Sequence, residues 1–194
     1  MSRVVVTEFV SLDGVMEDPG GAEGSENGGW TFKFDQGADG VKFKVDELAA
    51  ADALLLGAVT YRGFAAAWPS MEGTGDFGER MNGIRKYVVS STLTDAEATW
   101  NNTTVIRGDL GDEVATLKAG TGGDLLVAGS GQLARALTTL GLVDEYRLMV
   151  FTIVLGSGKR LFADVRGTPT LSLLEANTTE SGILLLRYRA RAND

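Results

Sequence analysis

Two apolar runs of strand length in this chain end at glycine and pass at once into helical spacing. Leu54-Leu55-Leu56 stops at Gly57, and a helical pattern covers residues 60–67. Leu125-Leu126-Val127 runs through Ala128-Gly129-Ser130-Gly131 into a second pattern over residues 132–140, closed by Gly141 where a helix C-cap prefers glycine. A third run, Tyr87-Val88-Val89, ends in Ser90-Ser91-Thr92. Buried strands that alternate with helices call for a largely parallel sheet covered on both faces.

The remaining pattern fits that frame. Strands are expected over residues 4–10, 53–56, 86–89, 103–106, 124–127, 145–151, 171–175 and 183–189. Residues 41–51 carry apolar Val41, Val45, Leu48 and Ala49 at helical spacing, and further helices are expected over 76–82 and 111–119. No helix separates the last three strands, so that end of the sheet should be antiparallel. The expectation is one domain over residues 1–194, an α/β three-layer sandwich with a mixed, mostly parallel sheet. Residues 18–29 lack an apolar pattern and read as a mobile loop, and residues 69–78 form a second loose stretch.

Composition removes whole classes of chemistry. The 194 residues include no histidine and no cysteine. That excludes histidine-based relays, thiolate nucleophiles, disulfides and zinc knuckles. A metal would have only carboxylates to bind it, which suits Mg²⁺ or Ca²⁺, and none is expected. Asp and Glu number 26 against 18 Lys and Arg, a formal charge of −8. Such a surface repels phosphate backbones and anionic lipid, so neither nucleic acid nor membrane is expected as a partner. No apolar run reaches the roughly 18 residues of a membrane span. The first eight residues turn polar too early for a signal peptide, and a cytoplasmic location is expected.

The chemistry-bearing stretches lie at expected strand ends. Gly129-Ser130-Gly131-Gln132-Leu133-Ala134 fits G-x-G-x-x-A, with glycines that permit close backbone approach and a helix N-terminus suited to phosphate. A plain strand-to-helix turn explains it equally. A dinucleotide-binding Rossmann unit fits poorly, because no strand about 20 residues on ends in a ribose-binding acid. Gly57 with Thr60 repeats the arrangement, and Ser90 and Ser91 release hydroxyls at a third strand end; a helix cap and ordinary turn chemistry are the competing readings. If the strands are parallel, all three corners share one edge, where one extended phosphate-bearing ligand could touch them.

Four further residues enter as candidates. Asp13 follows Val10-Ser11-Leu12 and either orients a substrate or closes an Asx turn. Trp30 either stacks on a ring or anchors the loop before it. Asp35 is the acid expected nearest the strand edge, where burial would raise its pKa and make it a proton donor. Arg62 lies one helical turn beyond Ala58.

The ordered set Ser11-Leu12-Asp13-Gly14, Gly57 with Thr60-Tyr61, Val88-Val89-Ser90-Ser91-Thr92-Leu93, Gly129-Ser130-Gly131-Gln132-Leu133, Gly141-Leu142-Val143-Asp144-Glu145 and Val154-Leu155-Gly156-Ser157-Gly158 resembles the reductase domain of riboflavin biosynthesis. That domain is the C-terminal half of a bifunctional deaminase–reductase and shares the dihydrofolate reductase fold. The chain looks like a stand-alone member without the deaminase half. The resemblance implies NADPH as cofactor. It implies contacts from Gly57, Thr60, Ser90, Ser91, Gly129, Ser130, Gly131, Gln132 and Leu133, with Val10 beside the nicotinamide. Asp13 and Trp30 fall on the substrate side, and Asp13 and Asp35 are the candidate catalytic acids. Many relatives carry Arg directly after the equivalent of Gly57 to pair with the 2′-phosphate. Here Ala58 stands there, and Arg62 is the expected substitute.

The expected function is an NADPH-dependent reductase transferring hydride to C=N or C=O of a pterin or pyrimidine. The alternatives are a non-catalytic nucleotide- or pterin-binding protein and an interaction domain without a nucleotide. Similar proteins are commonly homodimers, and the apolar stretch 142–151 serves either such an interface or the core.

Overall fold

The computed structural model describes residues 2–120 and 122–191. The chain runs β1 (Val4–Ser11), α1 (Gly37–Ala50), β2 (Ala51–Gly57), α2 (Ala58–Ala67), α3 (Gly75–Gly83), β3 (Arg85–Val89), β4 (Thr103–Ile106), α4 (Leu110–Gly120), β5 (Asp124–Ala128), α5 (Gly131–Thr139), β6 (Glu145–Phe151), β7 (Leu171–Thr178) and β8 (Leu184–Ala190). The eight strands form one sheet in the order β4-β3-β2-β5-β1-β6-β8-β7. The first six are mutually parallel, and β8 runs antiparallel to both β6 and β7.

Strand alternation divides the core. Val4, Val6 and Val10 of β1 pack with Val114 and Leu117 of α4 and with Leu133, Ala134 and Leu137 of α5. Val5, with Leu54, Leu56 and Leu126 beside it, packs on the other face against Leu48 of α1, Tyr61 of α2 and Met81 of α3. Two helical layers thus enclose the sheet, each buried leucine contributing about 2 kcal/mol. A third cluster gathers Trp30, Met149, Phe151, Ile183 and Leu185. Gly141 takes φ +68°, and the N–H groups of Gly141 and Leu142 donate to the carbonyls of Thr138 and Leu137, a Schellman closure of α5. Among the described residues no helix is long and apolar enough to cross a membrane.

The amino ends of the strands are locked by charge. Arg3 binds Asp124 at 2.9 and 2.7 Å and Glu145 at 2.8 Å, while Arg147 and Arg187 reach the other Glu145 oxygen at 2.8 and 3.0 Å. Lys86 at the start of β3 is fully buried. Its ammonium donates to the carbonyls of Asn82, Ile84 and Asn101 and lies 4.1 Å from the Trp100 ring centroid.

Three expectations change. Residues 18–29 are wound around one carboxylate. Asp18 is buried at φ +48°, its side chain accepts the N–H groups of Glu23 and Ser25, and its carbonyl accepts those of Gly21 and Gly29. Helix α1 begins at Gly37 rather than residue 41, because Asp35 accepts the Gly37 N–H at 2.8 Å and starts the turn. The apolar stretch 142–151 serves the core: β6 lies between β1 and β8, and its side chains are largely buried.

Candidate active site at the carboxyl edge of the sheet

Because β1, β2, β3 and β5 are parallel, their carboxyl ends share one edge. The corners read from sequence meet there. The Gly57 N–H donates to Ser130 Oγ at 3.0 Å, and Thr60 Oγ1 donates to the Gly129 carbonyl at 2.9 Å. These two bonds bind the start of α2 to the turn that opens α5. They also leave both helix N-termini open. Ser130 is the N-cap of α5 but makes no side-chain cap bond, since its hydroxyl serves Gly57 and the Ala128 carbonyl. Gly57, the N-cap of α2, has no side chain to offer. Two uncapped N-termini therefore stand side by side, each with unpaired N–H groups and partial positive charge.

That donor set fits the phosphates of a dinucleotide. The glycines themselves have a second cause. Gly129 has φ +65°, and a Cβ there would lie 3.2 Å from Thr60 Cγ2; at Gly131 it would lie 2.7 Å from Met16 Sδ. The positive φ favours glycine at 129, while at 131 a side chain would require Met16 to shift. Gln132 is exposed, and Leu133 points into the core, so only its backbone faces the turn.

At the next strand end, Ser90 Oγ accepts the N–H groups of Thr92 and Leu93, which closes a turn. Ser91 is exposed beside it. Arg62 is exposed on α2, and its guanidinium lies 3.8 Å from Glu97, the acid that holds Thr94. Arg62 and the serine corner thus flank the same side of the edge.

The β1 side is different. Pairing of β1 with β5 ends at Thr7↔Ala128, whereas pairing with β6 continues to Ser11↔Phe151. Residues Glu8, Phe9, Val10 and Ser11 therefore extend past the end of β5, next to the α5 turn, with Glu8, Val10 and Ser11 buried. Val10 is buried in the core cluster that includes Met16, Leu133 and Leu161. Asp13 accepts the Ser11 hydroxyl at 2.7 Å and the N–H groups of Leu155 and Gly156 at 3.1 and 2.9 Å, with Arg160 at 3.4 Å. The Ser11 bond and these backbone donors pull its pKa down to about 2. It is ionised at neutral pH and bolts the β1 end to residues 155–160.

Two sequence expectations are corrected here. Trp30 is fully buried, donates its ring N–H to the Glu17 carbonyl at 2.9 Å and packs edge-on against Phe151, so it is an anchor with no face for a ligand. Asp35 is exposed and accepts the Gly37 N–H just before α1, so the burial that would have made it a proton donor is missing.

Glu8 is the residue that sequence reading missed. It is 4 % exposed. Oε2 accepts the Gly129 N–H at 3.1 Å, while Oε1 is buried with no hydrogen-bond partner among the described residues. Burial pushes its pKa up to about 8, against the attraction of Lys44. Its signal in the sequence was a lone acid inside an otherwise apolar strand. On the opposite side of β1, Thr7 donates to buried Glu47 at 3.0 Å, and Lys44 pairs with Glu47 and donates to Thr7 at 2.9 Å.

The sequence profile of the RibD C-terminal domain matches residues 2–185. The chain belongs to that family. The Bacillus subtilis (strain 168) protein YyaP is 36 % identical over 104 residues, about half the length of each chain (54 %). A riboflavin biosynthesis protein from Shewanella sp. PV-4, itself a putative assignment, superposes with a TM-score of 0.78 at 19 % identity, covering 99 % of this chain and 100 % of its own. Dihydrofolate reductase from Enterococcus faecalis, solved with NADP(H), gives 0.64 at 13 % identity over 98 % and 97 %. The likeness to these structures shows a dihydrofolate reductase-like fold.

Proposed function

We propose that this member of the RibD C-terminal domain family is an NADPH-dependent reductase acting on C=N or C=O of a small pterin- or pyrimidine-type heterocycle. One observation carries the reading most: the two uncapped helix N-termini at Gly57 and Ser130 are joined by hydrogen bonds at the carboxyl edge of a parallel sheet. The family assignment and a neighbour of like fold solved with NADP(H) support it.

Each part of the edge has a task. The first N–H groups of α5, at Gly131, Gln132 and Leu133, hold the diphosphate, with the Gly57–Thr60 turn beside them. Ser90, Ser91 and Arg62 hold the 2′-phosphate end, where a guanidinium suits a doubly charged oxyanion. Val10 and the extension of β1 past β5 lie at the nicotinamide end and exclude water there. NADPH, when bound, supplies the hydride, and the protein supplies orientation and electrostatics. Ionised Asp13 orients the β1 end and holds no proton to give at neutral pH, so the proton comes from water or another acid.

The test is NADPH fluorescence titration, followed by loss of NADPH absorbance against a panel of pterins and pyrimidine amines. Saturable binding with turnover of a panel member is expected. Binding without turnover across a broad panel would make the chain a nucleotide-binding protein of this fold. No binding of NADPH or NADH would end the reading.

A further inference from the structure

We infer that Glu8 belongs to the dinucleotide site and must carry a proton for the cofactor to bind, so that wherever Glu8 is ionised in the free protein, binding draws a proton from solvent onto this side chain. The inference rests on the reading above and adds a coupling to it.

The geometry supplies the reason. Glu8 is the first residue of β1 beyond its last pair with β5. Its carboxyl group already occupies the Gly129 N–H at the mouth of the α5 turn. Phosphates received on the next N–H groups of that turn would face a like charge if Glu8 were ionised, in a buried setting where screening is weak. Protonated Glu8 removes the conflict. Oε2 still accepts from Gly129, and Oε1, the buried oxygen without a partner, becomes an O–H donor next to an anion.

The charges around Glu8 do not relieve the conflict in another way. From α1, Lys44 attracts the carboxylate and Glu47 repels it. Lys44 is already paired with Glu47 and bonded to Thr7. From the β5–α5 turn come backbone donors, and from β6 the residue opposite Glu8 is Leu148. Burial already raises the carboxyl pKa to about 8 in the free protein; anionic phosphates nearby raise it further.

The balance is simple. Ionised Glu8 plus NADPH plus one proton gives the complex with neutral Glu8. Near pH 8 a phosphomonoester is fully ionised, since its second pKa is about 6, so the cofactor takes up no proton itself. The chain has no histidine and no cysteine, which removes the usual groups titrating in this range. Lys86, which burial lowers to about 8, lies at the amino end of β3, on the opposite edge.

Calorimetric titration of the full chain with NADPH near pH 8, in phosphate and in Tris, reads the proton directly. Wild type should take up roughly half a proton, and its affinity should fall about tenfold per pH unit above that point. Glu8→Gln keeps the size and an acceptor for Gly129; its uptake should vanish and its affinity should stay flat with pH. Equal observed heats in the two buffers for wild type, or uptake that persists in Glu8→Gln, would overturn the inference while leaving cofactor binding intact. Absence of binding in wild type would instead remove the functional reading and the inference with it. If Glu8→Gln fails to fold, the wild-type side-chain pKa followed by carboxyl ¹³C NMR decides: it must rise on adding NADPH, and an unchanged or lower value would overturn the inference.

Discussion

Thr60 on α2 donates its hydroxyl to the carbonyl of Gly129, two strands' ends drawn together at 2.9 Å. The bond ties the first turn of α2 to the turn that opens α5. Thr60→Val keeps the shape and deletes the donor. The loss expected is about 1 kcal/mol, and an equal loss in cofactor binding is about fivefold in Kd for NADPH. Fluorescence titration and a urea melt measure the two. A Kd unchanged within twofold would mean that this bond does not shape the phosphate site.

The Arg62 guanidinium lies 3.8 Å from Glu97, which would compete with a bound 2′-phosphate for it. If Arg62 reads the 2′-phosphate, Arg62→Ala should lower the preference for NADPH over NADH by roughly 10- to 100-fold, the range for a charge-assisted bond. Glu97→Gln frees Arg62 and should raise that preference. The ratio of the two Kd values checks both. An unchanged ratio in Arg62→Ala assigns the role elsewhere.

Asp13 makes stability depend on acid. Its folded pKa of about 2 lies below the ordinary 3.8, so the unfolded chain binds the proton more readily. The stabilisation is complete above pH about 4 and is lost as pH falls through about 2. Asp13→Asn should therefore be less stable than wild type at neutral pH, and the gap should close on acidification. Urea denaturation at several pH values tests it, and a gap independent of pH would contradict the ionic clamp.

Glu145 is the hub of the amino-edge network, accepting from Arg3, Arg147 and Arg187. Glu145→Ala leaves the buried Arg147 guanidinium without its nearest carboxylate. Breaking such a pair costs about 3–5 kcal/mol. NADPH affinity should barely change, because this edge is remote from the cofactor corners. A loss under about 1 kcal/mol would show that the network is screened by water.

Much of this architecture could be read from sequence because its signals are local. An apolar run meeting Gly57 or Gly129 marks both a strand and its end, and the lack of helices after residue 145 marks the antiparallel side. Element ends moved where a single side chain decides them, as Asp35 does for α1. The loop at residues 18–29 read as mobile because it has no apolar pattern, yet its order comes from the carboxylate of Asp18. Trp30 offered two roles until Phe151 and the Glu17 carbonyl chose between them. The Arg3–Asp124 pair spans 121 positions, and no local pattern announces such a partner. Glu8 was visible as an acid in an apolar strand, but its meaning depends on Gly129 lying beside it.

Backbone amide NMR during titration with NADPH reads the whole edge at once. Saturable shifts should gather at Gly57–Thr60, Ser90, Ser91 and Gly129–Leu133, with Glu8 and Val10 following on β1. Shifts confined to the amino edge around Arg3 and Asp124, or no saturable shifts, would contradict a cofactor held where the two helix N-termini meet.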